Sequence, residues 1–293
     1  MSTDFVIVLA ADQKFFSLLQ GCLASIRDQP QAQSAKLAFF DVGCTPEQLS
    51  WIRPRVDIIK EPEWEFEFAA RDLAPQYARG LLARPFLRKY FPGFEFYLWL
   101  DADAWVQDWA AIELFLAGAK KRTGLAIVPE VDRGSRLQYG LLPNYWRKVA
   151  SWYSASFGEQ VAKEFCSYPL LNAGAFAIHC EAPHWDVWKQ TLENAIQRNC
   201  GLISDQMALN YAVYGNGLFD RTEMLPSWCN WTCHFGWPAW DPSRSKFIEP
   251  YLPHRDIGII HFTEKKPTQK MLRTITGDEV SVSVLYPAGP ANP

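Results

Sequence analysis

Asp101-Ala102-Asp103 is the part of this chain best suited to chemistry, because two carboxylates one residue apart follow directly on Phe96-Tyr-Leu-Trp-Leu100. Five such apolar residues read as a strand buried on both faces, and ligands of open α/β sheets bind beyond the carboxyl ends of their strands. In a turn at that place the two acids can face one side and hold a hard divalent cation, of the kind that bridges a diphosphate. An Asp-x-Asp can equally cap the helix that follows, and the pattern alone leaves both readings open. His261 ends a second apolar run, Gly258-Ile-Ile-His261. Alone it reads as a structural histidine; with Asp101 and Asp103 it forms a carboxylate–imidazole set that suits Mn²⁺ better than Ca²⁺. Lys265 and Lys266 follow, either to neutralise phosphate oxygens or as a solvated charge pair.

The elements that must position these residues alternate. Phe5 to Ala11 is a continuous apolar strand, Asp12-Gln-Lys a turn, and Phe16, Leu19, Leu23 and Ile26 mark a helix from Phe15 to Arg27. Strands are expected at Lys36 to Phe40 and Val56 to Ile59. Between them Thr45-Pro-Glu-Gln48 signals a capped helix start. Glu61 to Gln76 fits neither period and reads as an irregular connection. A helix interrupted by Pro85 covers Tyr77 to Tyr90, and further strands are expected at Leu125 to Pro129, Ala175 to His179 and Ile257 to His261. Residues Asp132 to Cys166 read as helix plus loop laid over the sheet. The alternation predicts an α/β protein with a parallel, doubly wound sheet, and the Pro-rich tail from Tyr286 to Pro293 is expected to be flexible.

Composition narrows the partners. A net charge of −3, with Lys and Arg scattered along 293 residues, gives no footprint for nucleic acid or an anionic membrane. The apolar stretch at Phe5 is too short for a signal-peptide core and no run approaches transmembrane length. Seven cysteines, odd in number and widely spread, argue for a reducing compartment. A cytoplasmic protein acting on small molecules is the expectation. The segment Trp228 to Trp240 invites sugar stacking or simple core packing in equal measure. Cys229, Cys233 and His234 lack the second ligand pair a zinc site needs. Pro183 argues against a zinc helix holding His179, Glu181 and His184, and Asn230-Trp-Thr232 is a glycosylation sequon only in a secreted chain.

Taken in order, these pieces resemble the retaining glycosyltransferases of family 8, the family of glycogenin and of bacterial lipooligosaccharide galactosyltransferases. The matching stretches are Val8-Leu-Ala-Ala-Asp12, Phe40-Asp-Val-Gly43, Arg84, Leu100-Asp-Ala-Asp103, Leu171-Asn-Ala-Gly174, Ser204-Asp-Gln206 with Asn210, and His261-Phe262 with Lys266-Pro267. The resemblance implies a GT-A fold, with a mixed, mostly parallel sheet flanked by helices in one domain over 1–285. Residues 1–130 would form its nucleotide-sugar-binding half and 131–285 its acceptor side. It implies transfer of a hexose from a UDP-sugar to a hydroxyl acceptor on a glycan, lipid or protein, with Mn²⁺ (or Mg²⁺) and with retention of configuration. Ala10, Ala11 and Asp12 would meet the nucleotide. Asp101, Asp103 and His261 would hold the metal, with Ala102 beside the donor. Arg84, Asp103, Asn172 and Ala173 would touch the donor sugar. Asp205 and Gln206 would lie beneath the anomeric carbon as the catalytic pair, and Lys266 would sit on the diphosphate.

The chain departs from the family in lacking a glycine after His261 and a tryptophan after Lys266-Pro267, and the stretch between His and Lys-Pro is one residue shorter, which leaves Lys265 and Lys266 as alternatives. Two competing readings remain. A haloacid-dehalogenase-type phosphatase would use Asp101 as nucleophile, though that motif normally lies near the N-terminus and here lies a third of the way in. A catalytically inactive sugar-binding module of the same fold is the other.

Overall fold

The computed structural model describes residues 4–69, 71–135, 145–198, 203–263, 268–287 and 289–290. Its centre is a seven-stranded sheet. The strands are β1 (Phe5–Ala11), β2 (Lys36–Asp41), β3 (Ile58–Lys60), β4 (Phe96–Leu100), β6 (Leu125–Pro129), β7 (Leu171–His179) and β8 (Thr222–Met224), with β5 (Ala104–Val106) leaving the site as part of a smaller sheet. The order is β3-β2-β1-β4-β7-β6-β8. β1 pairs in parallel with β2 and β4, β2 with β3, and β6 with β8, while β7 runs antiparallel to both neighbours. The sheet is mixed and mostly parallel, as the resemblance implies, and the antiparallel β7 departs from the parallel sheet that alternation alone predicts.

Period-two alternation along the strands builds a core on each face. Phe5, Ile7, Leu9, Leu98 and Leu100 point to one side, where they pack on α1 (Phe16–Arg27) and α5 (Ala110–Arg122). Val6, Val8, Tyr97 and Trp99 point to the other, beneath α3 (Ala78–Leu82), α4 (Leu87–Tyr90), α8 (His184–Arg198) and α9 (Ser204–Tyr214). α2 (Pro46–Ile52) begins with the capping box that Thr45 and Gln48 promise: each side chain accepts a hydrogen bond from the other's backbone N–H. Pro85 splits its helix as expected, leaving a 3₁₀ turn at Arg84–Phe86 between α3 and α4. α6 (Tyr145–Phe157) and α7 (Glu159–Phe165) pack in a third cluster with Met207 and Phe235.

Of the smaller sheets the sequence marked only one strand, within the stretch expected at Ile257 to His261. β5, β12 (Ile259–His261) and β9 (Trp231–Thr232) form one in the order β5-β12-β9, β10 (Ala239–Asp241) pairs with β11 (Lys246–Ile248), and β13 (Gln269–Arg273), β14 (Glu279–Ser283) and β15 (Gly289–Pro290) form a third. Of the tail expected to be flexible, residues 286–287 and 289–290 are described, and Tyr286 and β15 are tied to the body. Tyr286 lies against Trp105 and donates its hydroxyl hydrogen to Asp28, 2.6 Å away, and β15 pairs with β14. An aromatic ring with a buried partner and a charged acceptor outweighs the loop-forming prolines around it. No described helix is long and apolar enough to cross a membrane, and none of the described cysteines is in a disulfide.

Candidate active site

Two pairings bring Asp101, Asp103 and His261 together. At the end of β4 the Asp101 N–H donates to Gly174 O of β7 at 2.8 Å, fixing the first acid beside β7. After the turn, β12 runs antiparallel to β5 with His261 opposite Ala104, and the Phe262 N–H donates to Asp103 O at 3.0 Å. The second acid and the imidazole are therefore neighbours through sheet register. His261 Nε2 stands 3.5 Å from Asp103 Oδ1 and 3.8 Å from Asp101 Oδ2. Ligand atoms of all three lie within 4.8 Å of one another, and among the described residues no other group of three His, Cys, Asp or Glu side chains does so. The capping alternative for the Asp-x-Asp fails, since α5 starts only at Ala110 and the side chain accepting its backbone N–H is Asp108.

The donor set fits a divalent cation. Two carboxylate oxygens and one imidazole nitrogen converge, and His261 is almost fully buried among negative groups. Burial alone would lower its basicity, but hydrogen bonding to Asp103 and the charges of Asp103, Asp101 and Glu130 hold it above its ordinary value. Such a site attracts positive charge. Space has been kept for it as well: a Cβ on Gly174 would come within 2.2 Å of His261 Cε1 and 2.9 Å of Asp101 Oδ2. β7 is irregular at this place, its pairing with β6 jumping between Phe176 and Asn172 so that Ala173 to Ala175 form a bulge that turns toward the site.

Arg84 binds the two ends of the site. From the 3₁₀ turn its Nη2 donates to Asp101 Oδ1 and its Nη1 to Asp205 Oδ2, both at 2.6 Å, and the guanidinium lies 4.5 Å over the Trp99 ring. Trp99 Nε1 adds a second donor to Asp101 Oδ1 at 2.7 Å, leaving Oδ2 toward His261. Asp205, in the first turn of α9, is 2% exposed; burial raises its carboxyl and Arg84 pulls it back. Gln206 is half-buried beside it, its Oε1 accepting from the Ala173 N–H at 3.0 Å. Asn210, one turn on, bonds both the N–H and the C=O of Leu171, which locks α9 to β7.

The expected nucleotide contacts sit at the end of β1, where Asp12 Oδ1 accepts from the N–H groups of Lys14 and Phe15. Ala10 and Ala11 precede it, with Gly43 approaching from the end of β2. Lys265 and Lys266 lie outside the described residues. The aromatic segment is resolved toward packing: Trp228, Trp231 and Trp240 belong to the core, and only Trp237 is half-buried. Two residues that sequence reasoning passed over are part of the site. Asn230 Oδ1 lies 3.0 Å from His261 Nδ1, and Glu130, buried at the end of β6, accepts from Asn172 at 2.7 Å. Glu130 had the signal that exposed Asp101, an acid directly after a buried strand.

No protein-family model matches the sequence, and neither does any curated protein. Solved structures match the fold. The galactosyltransferase LgtC, in complex with donor and acceptor sugar analogs, aligns with 93% of this chain and 91% of its own at a TM-score of 0.51 and 16% identity. Mouse xyloside xylosyltransferase 1, in its apo form, aligns over 90% of this chain and 99% of its own at 0.52 and 12%. The bifunctional glycosyltransferase WbbM covers 92% of this chain, with 47% of its own length, at 0.51 and 12%. This chain has the GT-A fold.

Proposed function

We propose that the protein is a metal-dependent glycosyltransferase that moves a hexose from a UDP-sugar to a hydroxyl acceptor with retention of configuration. The observation that carries this reading is the convergence of Asp101, Asp103 and His261 at the carboxyl edge of a GT-A sheet, with Gly174 leaving room among them. Structural neighbours named as glycosyltransferases, one of them with donor and acceptor sugar analogs, support the same class. The absence of disulfides among the described cysteines suits the cytoplasm.

The residues divide the work. Asp12, with Ala10 and Ala11, receives the base and ribose. Asp101, Asp103 and His261 would hold Mn²⁺ or Mg²⁺, and Lys265 or Lys266 would add a second positive charge for the diphosphate. The bound cation would supply charge stabilisation to the departing diphosphate. Arg84, Asn172 and Ala173 orient the donor sugar. The anomeric bond to phosphate breaks, the acceptor oxygen bonds the same carbon, and the acceptor's proton passes to a phosphate oxygen on the same face. Gln206 supports the developing positive charge, because its amide oxygen is fixed by Ala173 and the residue is only half-buried. Asp205, buried and closed on Arg84, holds that arginine in place. The phosphatase reading asks Asp101 to attack as a free nucleophile, whereas Oδ1 of that residue is occupied by two donors.

Anomeric analysis by NMR of the product formed from a UDP-hexose tests the reading. A retained linkage, lost in Asp103→Asn by about 100-fold or more (~3 kcal/mol of transition-state stabilisation) with the melting temperature kept, is expected. An inverted product would exclude the retaining assignment. Full activity in chelator would exclude the metal site.

A further inference from the structure

Behind His261 runs a chain of hydrogen bonds between buried polar side chains. His261 Nδ1 meets Asn230 Oδ1 at 3.0 Å, Asn230 Nδ2 donates to Asn172 Oδ1 at 3.0 Å, and Asn172 Nδ2 donates to Glu130 Oε1 at 2.7 Å. The Tyr145 hydroxyl closes the chain on Glu130 Oε2 at 2.8 Å. His261, Asn230, Asn172, Glu130 and Tyr145 are each buried, and they come from β12, the turn before β9, β7, the end of β6 and the start of α6. Five separate segments thus supply one continuous network, in a setting where an unpaired polar atom is costly.

The direction of this chain is set from its ends. Gly174 donates its backbone N–H to Asn172 Oδ1 at 3.0 Å, which identifies that atom as an acceptor. Glu130 Oε1, at the other side of the same amide, needs a donor and finds Nδ2. With Asn172 so oriented, its Oδ1 must receive Asn230 Nδ2, and Asn230 is left presenting its oxygen to the imidazole. Only an N–H can face that oxygen, so Nδ1 carries a hydrogen in either charge state, and in the neutral ring Nε2 keeps its lone pair toward Asp101 and Asp103. Whichever way the Tyr145 hydroxyl faces, Oε1 remains the acceptor. Metal-bound histidines characteristically give their second N–H to a carboxylate or carbonyl, which fixes tautomer and ring orientation.

We propose that Asn230 and Glu130 are positioning residues for the metal site, acting in series through Asn172 to hold His261 as the Nδ1–H tautomer with Nε2 aimed at the cation. The proposal rests on the metal-dependent reading above and adds residues to it. It also ties the donor side of the site to α6 on the acceptor side, because Tyr145 opens that helix. Neither residue touches the reacting atoms.

Mn²⁺ titration of the purified protein, followed by the EPR signal of the free ion, tests this without any turnover. Asn230→Ala is expected to weaken Mn²⁺ binding about 10- to 100-fold, the range found for outer-shell partners of metal ligands. Glu130→Leu should weaken it about tenfold, and the double variant should be no weaker than Asn230→Ala, as a series arrangement requires. Glu130→Gln keeps an oxygen for Asn172 and should bind within about threefold of the unaltered protein. Should the variants fold poorly, long-range ¹H–¹⁵N NMR of the unaltered, metal-free protein at alkaline pH reads the tautomer directly, with hydrogen on Nδ1 as the expected result. Failure of the unaltered protein to bind Mn²⁺ would refute the metal reading itself. Tight binding that Asn230→Ala leaves intact, or an Nε2–H tautomer, would overturn the positioning role alone.

Discussion

Arg84 is the residue whose surroundings say most about the site. It is 4% exposed and bridges Asp101 to Asp205, residues far apart in the chain. Removing one member of a buried ion pair leaves the other uncompensated, so Arg84→Met is expected to cost about 3–5 kcal/mol of stability, measurable by urea denaturation. An unchanged midpoint would show that Asp205 is solvated. Gly174 is the second telling position. Its replacement by alanine forces a Cβ to within 2.2 Å of the His261 ring from a rigid strand, where only the site can move. Gly174→Ala should lower stability by about 1–3 kcal/mol and abolish measurable Mn²⁺ binding; retention of both would mean the cradle is elsewhere. At this scale the sequence was informative where an acid or imidazole followed an apolar run, as at Asp101, Asp103 and His261, although the same signal at Glu130 was passed over. It was silent where a role depends on a partner far along the chain. Nothing in Pro226-Ser-Trp-Cys-Asn230 marks Asn230 as the acceptor for His261, and Gln206 gives no sign that Ala173 holds it.

Among the elements, the sheet was readable because its strands are apolar runs of fitting length, and β1 spans the stretch expected of it, Phe5–Ala11. β5 and β9 were harder, whereas β12 lies within the strand expected at Ile257 to His261. Two or three residues each, β5 and β9 exist through pairing with β12, so their local sequence carries little periodicity. α8 illustrates the opposite case, in which Pro183 stands just before the first residue of the helix instead of interrupting it. That start buries His184, whose Nε2 lies 3.0 Å from Thr222 Oγ1 of β8, while the threonine hydroxyl donates to Leu218 O. Burial, with a smaller contribution from Arg221, lowers the His184 imidazole to about 4. The unfolded chain therefore takes up a proton near pH 6.5 that the folded chain refuses. Stability is complete above that pH and falls as pH drops toward 4, by up to about 3 kcal/mol from this group. Thermal melts between pH 7 and 4 should show the decline, and His184→Gln should flatten it. An identical slope in the variant would assign the loss to other groups.

For the molecule as a whole, the fold assignment and the functional assignment rest on different observations. The GT-A architecture follows from sheet order, strand direction and the structural matches, and it was legible because seven weak motifs stood in the right order along most of the chain. Function depends on whether two acids and an imidazole, brought together by the pairing of β4 with β7 and of β5 with β12, act as a metal site for a sugar nucleotide. The strand ends converge on one edge, and α9 lays Asp205 and Gln206 beside them. Isothermal titration of UDP into the protein, with Mn²⁺ and again with chelator, tests that claim most directly. Saturable binding of UDP that requires Mn²⁺ and is lost in Asp103→Asn is the predicted result. UDP binding equally tight in chelator, or no binding in either condition, would contradict it.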